Sequence, residues 1–304
     1  MAPTIEVSAI IPTYNRRELV VRAIESVLAQ TRRVEEIVVV DDGSTDGTGA
    51  MLLGRYGDRI RYVQQANAGV SAARNHGMSI AQGRYFALLD SDDEWLPEKT
   101  ARQVEWMQAH PGYGMVLCDV ERVDGQHRLV DVFHRRQTIR EDGWVLRWII
   151  HNPALAPASA LLRREVIADV GGFDETLRTA EDIDFHMRVA RRWQIGVVEH
   201  ALVRAMRGHD GLSAAPSTYD DYVRVVERAV EEAKGVVDEV ELRRALSSTY
   251  ARNARGMVMR RRWSDGWRLA SQAWRITPDP ALRRELLGIA PFALRRAIRG
   301  LLPD

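Results

Sequence analysis

Cysteine, lysine and long apolar runs are scarce or missing in this chain of 304 residues. Its single cysteine, Cys118, excludes an internal disulfide and fits a reducing compartment. The setting Gly114-Met115-Val116-Leu117-Cys118 reads as a packed strand rather than a nucleophile's loop. Only two of the 43 basic residues are lysines, Lys99 and Lys234, a bias of composition rather than a sign of function. Acidic residues number 42, and the net charge of +1 gives no global attraction for nucleic acid. No run of about 18 apolar residues could span a bilayer. Nor does a basic leader with a long apolar stretch precede the first strand. The expected location is the cytoplasm, either free or peripheral on the cytoplasmic face of a membrane.

What is present suits a globular protein: 45% apolar and 28% charged residues, in a length that allows one large domain or two. From residue 7 to about 205, short apolar runs alternate with amphipathic stretches. Strands are predicted at Val7–Ile11, Glu36–Val40, Ile60–Val63 and Arg84–Leu89, with helices at Arg16–Gln30, from Asn67 to Gln82, and at Pro97–Ala109. A strand around Cys118, a hairpin within Val120–Arg140, a strand at Ala158–Leu162, a helix at Glu181–Arg192 and strands near Ile195–Val198 and Ala201–Met206 complete the unit. Such alternation predicts an α/β fold, a mostly parallel twisted sheet with flanking helices.

From Ser217 onward only helices are predicted: one with an Asp220 capping box, then Glu239–Arg262, Asp265–Ile276, Pro280–Leu287 and Pro291–Leu302. This divides the chain into residues 1–215 and a helical region, 216–304. The last segment sets Arg283, Arg284, Arg295, Arg296 and Arg299 beside leucine, isoleucine and phenylalanine. A basic amphipathic helix lies on an anionic membrane surface or packs on its own domain, and the sequence leaves both open.

The stretch Leu88-Leu89-Asp90-Ser91-Asp92-Asp93 ends a strand in carboxylates, at the sheet edge where open α/β folds place their ligands. Asp90 and Asp92 share a face and offer hard oxygen donors of the kind that take Mg²⁺ or Mn²⁺. A solvated acidic turn capping the next helix is the other reading. Pro12-Thr13-Tyr14-Asn15 and Asp42 end two neighbouring strands. An aromatic ring and a carboxylate there can stack on a planar base and accept its N–H; a turn built for backbone reasons has the same composition. Asn67, Gly69 and Arg74 open a helix whose amides attract phosphate, with capping and a plain ion pair as alternatives. Glu181-Asp182 starts another helix, where acids also pair with the dipole. Trp144, Trp148 and His151 precede the Asn152-Pro153 turn, where aromatics either stack on a ligand or pack in the core.

Five motifs resemble, in order and spacing, those of family 2 inverting glycosyltransferases of the GT-A fold. They are Ile11 to Asn15, Val38 to Asp46, Asn67 to Asn75, Leu89 to Asp93, and Glu181-Asp182, and the resemblance covers about residues 5 to 213. It implies that Pro12, Thr13, Tyr14, Asn15 and Asp42 meet the base and ribose of a nucleotide-sugar donor, and that Asn67, Gly69 and Arg74 shape its pocket. Asp90 and Asp92 match the Asp-x-Asp signature for Mn²⁺ or Mg²⁺, with Asp92 as direct ligand, Asp90 reaching the ion or the ribose, and His209 completing the site. Asp182 matches the general base, with Glu181 and Trp148 on the acceptor side.

The implied reaction transfers a sugar from a UDP- or dTDP-sugar to a saccharide or lipid-linked acceptor, in cell-surface glycan synthesis. Two alternatives stand beside it. A sugar-phosphate nucleotidyltransferase needs a Gly-rich basic loop after the first strand, which Pro12 to Asn15 is not. A nucleotide-sugar-binding scaffold would bind without turnover. The helical tail leaves a partner enzyme, a membrane and a second copy of the chain open as its contacts.

Overall fold

Every residue of the first strand, β1 (Val7–Thr13), is buried, as a strand covered on both faces requires. The computed structural model that shows this describes residues 5–153, 156–206 and 218–288. His209, Ser217 and the predicted helix at 291–302 lie outside the described residues. Helix α1 (Arg17–Leu28) follows and buries Val20, Ala23, Ile24 and Val27, the stripe that a 3.6-residue period places on one side. Next come β2 (Glu36–Asp41), α2 (Thr48–Tyr56), β3 (Arg61–Gln64), α3 (Val70–Ile80), β4 (Tyr85–Leu88) and the two-residue β5 (Glu94–Trp95). Then α4 (Lys99–Ala109), β6 (Tyr113–Val123), β7 (Leu129–Phe133), α5 (Leu146–Ile149), β8 (Leu161–Arg163), α6 (Arg164–Val170), α7 (Glu181–Arg192) and β9 (Gln194–Met206) complete the α/β unit.

The nine strands of the described residues form one sheet in the order β3-β2-β1-β4-β8-β6-β9-β5, with β7 paired to β6. Strands β1 to β4 run parallel, and their register sets Thr13 opposite Asp41 and Ile10 opposite Leu88. Their carboxyl ends therefore meet along one edge, and the Asp90 loop leaves beside the loops after β1 and β2. Beyond β4 the sheet is mixed: β8 is antiparallel to β4 and β6, while β6 and β9 are parallel.

Alternation sorts the side chains into two cores. Ile10, Val38, Val40, Phe86 and Leu88 face one, while Ala9, Ile11, Val39, Ala87 and Leu89 face the other, together with Cys118. Gly77 lets α3 press onto the sheet, since a Cβ there would sit 2.6 Å from Ile10.

Three local expectations change. Helix α2 has no readable apolar stripe because Gly47, Gly49, Gly54 and Gly57 interrupt its segment. The two strands expected near 195–206 are one, β9, kept continuous by register shifts against β6 around Asp119. The strand expected at Ala158–Leu162 begins only at Leu161, because Pro157–Ser159 forms a 3-10 turn.

Helices α8 (Thr218–Glu232), α9 (Glu239–Met259), α10 (Trp263–Ile276) and α11 (Pro280–Leu287) follow. Val225, Val226, Val230, Leu242 and Ala245 of α8 and α9 belong to the first core, beside residues of α5 and α7. A third cluster lies within α8 to α11 themselves, around Ala254, Met257, Leu269 and Ala273. Trp263 and Ser264, left between the two helices predicted there, start α10 instead; Gly266 sits where a Cβ would be 2.7 Å from Val258 of α9, so close helix packing accounts for it.

Candidate active site

Three loops along the parallel edge are stitched to one another. Asp42 N–H donates to Thr13 O (2.9 Å), Asn15 N–H to Ser44 Oγ (2.8 Å), and Thr45 N–H to Asn15 Oδ1 (2.8 Å). Asn15 adopts φ +49°, a left-handed conformation that asparagine tolerates better than most residues. Asp41 is buried and accepts from Ser44 N–H (2.8 Å) and from Tyr62 OH (2.7 Å). Burial, then this carboxylate, pushes the Tyr62 phenol's pKa up. Asp42 accepts from Gln65 Nε2 (2.8 Å), Ala68 N–H (2.9 Å) and Gly69 N–H (2.8 Å), and Asn67 Nδ2 donates to its carbonyl (2.9 Å). The structure thus gathers Asp42, Asn67 and Gly69 into one brace. Pro12 and Thr13 are buried, whereas Tyr14, 48% exposed, offers its ring to solvent at the mouth of the edge.

The acidic loop is organised by arginines. Arg74 is fully buried on α3 and forks between Asp90 (Nη2 to Oδ1, 2.6 Å) and Glu181 (Nη1 to Oε1, 2.7 Å), with Phe173 beneath it at 5.0 Å. Burial opposes its charge, but Asp90 and Glu181 outweigh that and raise its pKa. Arg74 is therefore a bridge between the sheet edge and α7. Arg16 pairs with Asp92. Asp93 turns inward, and burial, then the charges of Asp90 and Asp92, drive its pKa well above the ordinary carboxylate range. The buried Asp93 supports the loop and leaves Asp90 and Asp92 as the partly exposed pair.

Glu181 and Asp182 open α7 after Ala180, a non-glycine residue at φ +61°. Asp182 Oδ1 accepts from Ile183 N–H (2.8 Å). Burial, then the neighbouring Glu181, pushes Asp182 up to about 7, against the opposing pull of Arg74. Helix α8 reaches this turn: Asp221 Oδ2 accepts from Thr179 N–H (3.1 Å) and Thr179 Oγ1 (3.0 Å). Its neighbour Tyr222 accepts from Arg252 Nη1 of α9 (3.0 Å), and burial raises the phenol's pKa with the charge of Asp182 adding to the shift. Trp148 packs on the first core with Arg140 and Arg147 over its ring at 5.1 and 4.7 Å. His151 Nε2 lies 2.9 Å from Glu241 of α9.

Arg16, Asp221, Tyr222 and Arg252 carry no local sequence signal for these places. Each is defined by a partner far along the chain. Among the described residues no group of three metal-ligating side chains is gathered. Asp90 and Asp92 still form a donor set of the kind a hard divalent cation takes: two carboxylates at one strand end, both partly open to solvent, with Arg74 on Oδ1 of Asp90 and Arg16 on Oδ2 of Asp92.

Comparison with known proteins decides the family. The model named Glycosyl transferase family 2 matches residues 8–171. The chain belongs to glycosyl transferase family 2. The chain is 32% identical over 211 residues to an uncharacterized glycosyltransferase of Rickettsia typhi, covering 67% of its own length and 64% of that protein. It is 39% identical over 127 residues to the putative teichuronic acid biosynthesis glycosyltransferase TuaG of Bacillus subtilis, covering 39% of its own chain and 50% of TuaG. It thus spans less than two thirds of either relative. Its fold is similar to that of Staphylococcus aureus TarS residues 1–349 in complex with UDP-GlcNAc, with TM-score 0.72, 21% identity, and coverage of 97% and 92% of the two chains. It is also similar to the Pyrobaculum calidifontis mannosyltransferase PcManGT in complex with GDP-Man and Mn²⁺, with TM-score 0.61, 19% identity, and coverage of 97% and 82%. The chain therefore has the GT-A fold expected from its motifs, with helices α8 to α11 appended. No helix among its described residues is long and apolar enough to cross a membrane.

Proposed function

We propose that the chain transfers a sugar from a UDP- or dTDP-sugar to an acceptor hydroxyl with inversion, with Asp182 as general base. The observation that carries this reading is the Arg74 fork, which ties Asp90 at the sheet edge to Glu181 beside Asp182. One guanidinium thereby holds Asp90 and the neighbour of Asp182, which supports a donor side and an acceptor side that meet at Arg74. In the transfer, the acceptor oxygen bonds to the anomeric carbon from one face while the bond to the diphosphate oxygen breaks on the other. The diphosphate leaves with the bonding pair, and the acceptor's proton passes to the Asp182 carboxylate. A base whose pKa lies near 7 suits this at neutral pH, and such assistance gives about 100- to 10,000-fold in rate.

Tyr14 stacks on the nucleotide base, beside Pro12, Thr13 and Asn15, and the Asp42 brace with Asn67 and Gly69 shapes the pocket floor. Arg74 fixes Asp90. Glu181 orients the base through the same guanidinium, and Trp148 stands on the acceptor side. Asp90 and Asp92 would hold Mn²⁺ or Mg²⁺, which when bound would stabilise negative charge on the diphosphate. His209 is the third ligand proposed. The UDP-GlcNAc complex of TarS supports a uridine donor, and the name of TuaG supports an acceptor in cell-envelope glycan synthesis.

Calorimetric titration with UDP, dTDP, GDP and CDP, with and without Mn²⁺, tests the donor site. Binding of one nucleotide that needs Mn²⁺ and weakens at least about tenfold in Asp92→Ala is expected, a loss of about 1.4 kcal/mol or more. A folded chain that binds none of the four contradicts the reading.

A further inference from the structure

The general-base turn is short of support from its own neighbours. Ala180 enters α7 at φ +61°, a conformation that costs an L-residue with a side chain, and no side chain caps the helix from the N-cap position. The residue before it, Thr179, is held from outside the α/β unit: its N–H and its hydroxyl both donate to one oxygen, Oδ2 of Asp221. Asp221 is mostly buried and lies on α8, with Arg224 one turn on contacting its other oxygen at 3.3 Å.

Helix α8 is itself anchored to α7 at further points. Arg228 pairs with Asp184 and, at 3.2 Å, with Asp174, and Arg191 pairs with Glu232 at 2.8 Å. Val225, Val226 and Val230 fill the core between them. The next residue, Tyr222, is held by Arg252 and feels the charge of Asp182. Helix α8 thus presents Asp221 to the Thr179–Asp182 turn while its other side chains tie it to α7.

Resting on the transfer reading above, we propose that Asp221 is a positioning residue: by gripping both donors of Thr179 it fixes the Ala180 turn and so aims the Asp182 carboxylate. The C-terminal helices then act as part of the active-site wall, not solely as an appendage for partners. A carboxylate free to swing by an ångström loses about 100-fold of its effect, while donor binding at the opposite side of Arg74 is untouched.

The test uses the full chain with Asp221→Ala, Asp221→Asn and Thr179→Val. Both Thr179 bonds end on a single oxygen, so the amide oxygen of Asp221→Asn can replace it. Hydrogen exchange of the peptide spanning Thr179 to Phe185 should quicken at least about tenfold in Asp221→Ala, stay near wild type in Asp221→Asn, and leave β1 and β2 unchanged. With UDP-GlcNAc, UDP-glucose and dTDP-glucose as probes, kcat for nucleotide release should fall about 10- to 100-fold in Asp221→Ala with KM within about threefold, and recover in Asp221→Asn. Thr179→Val, which keeps the N–H and loses the hydroxyl, should fall between. Wild-type exchange across Thr179 to Phe185 in Asp221→Ala, or unchanged kcat beside quickened exchange, overturns the proposal. Failure of the transfer reading shows separately, as a wild-type chain that binds UDP with Mn²⁺ but releases nucleotide from no sugar donor.

Discussion

Arg74 and Glu181 stand 107 positions apart in the chain and meet at 2.7 Å, and the same guanidinium holds Asp90 at 2.6 Å. One buried cation therefore neutralises an acid from each half of the active site. That makes it a structural keystone as well as an electrostatic one.

Replacing Arg74 with methionine leaves Asp90 and Glu181 facing each other in a largely buried site. Breaking such a pair from one side costs about 3–5 kcal/mol, so the midpoint of urea denaturation should drop accordingly. Arg74→Lys keeps the charge but not the two-pronged geometry and should lose less. A methionine variant as stable as wild type would show that the bridge holds nothing together.

The pH dependence of turnover follows from Asp182. Burial, then Glu181, pushes it up to about 7 from an ordinary 3.8. A base acts deprotonated, so kcat should rise with pH through about 7 and then level off. Stability has the opposite sign. The folded carboxyl binds its proton more tightly than the unfolded one, so its contribution is full below the unfolded value and is lost as pH rises through about 7. Asp182→Asn should flatten the stability profile between about pH 4 and 7. A rate profile with no limb near neutrality would place the base elsewhere.

Leu242 lies on α9 yet belongs to the first core, alongside Ile149 of α5 and Phe185 of α7. Leu242→Ala should cost about 2–5 kcal/mol and shift the whole unfolding curve. Far-ultraviolet circular dichroism and tryptophan fluorescence should move together. Separate transitions for the two signals would mean that the C-terminal helices melt on their own.

The parts of this architecture that are legible in the sequence are those written locally. The Val38–Val40 and Phe86–Leu89 runs announce buried parallel strands, and the acids that end them announce the ligand edge. Helices α1 and α7 show their stripes plainly. Helix α2 hides behind its glycines, and β8, expected from Ala158, starts only at Leu161 because Pro157–Ser159 turns first. The site's internal wiring is hardest to read. Arg16 and Asp92, Arg74 and Glu181, and Thr179 and Asp221 are pairs made by the fold, and in an arginine-rich sequence no single arginine stands out. Asp93 shows the same limit: next to Asp92 in sequence, it turns inward, where burial and then the charges of Asp90 and Asp92 push its pKa up.

The most direct test of the account compares wild type and Asp182→Asn for turnover of the nucleotide sugar selected by the binding titrations, with UDP or dTDP affinity measured on both proteins. Asparagine keeps the size of the side chain and removes the basic oxygen. The account predicts a kcat lower by about 100- to 10,000-fold with nucleotide affinity unchanged. Full turnover by the variant would contradict Asp182 as the base and, with it, the acceptor side assigned to α7 and α8.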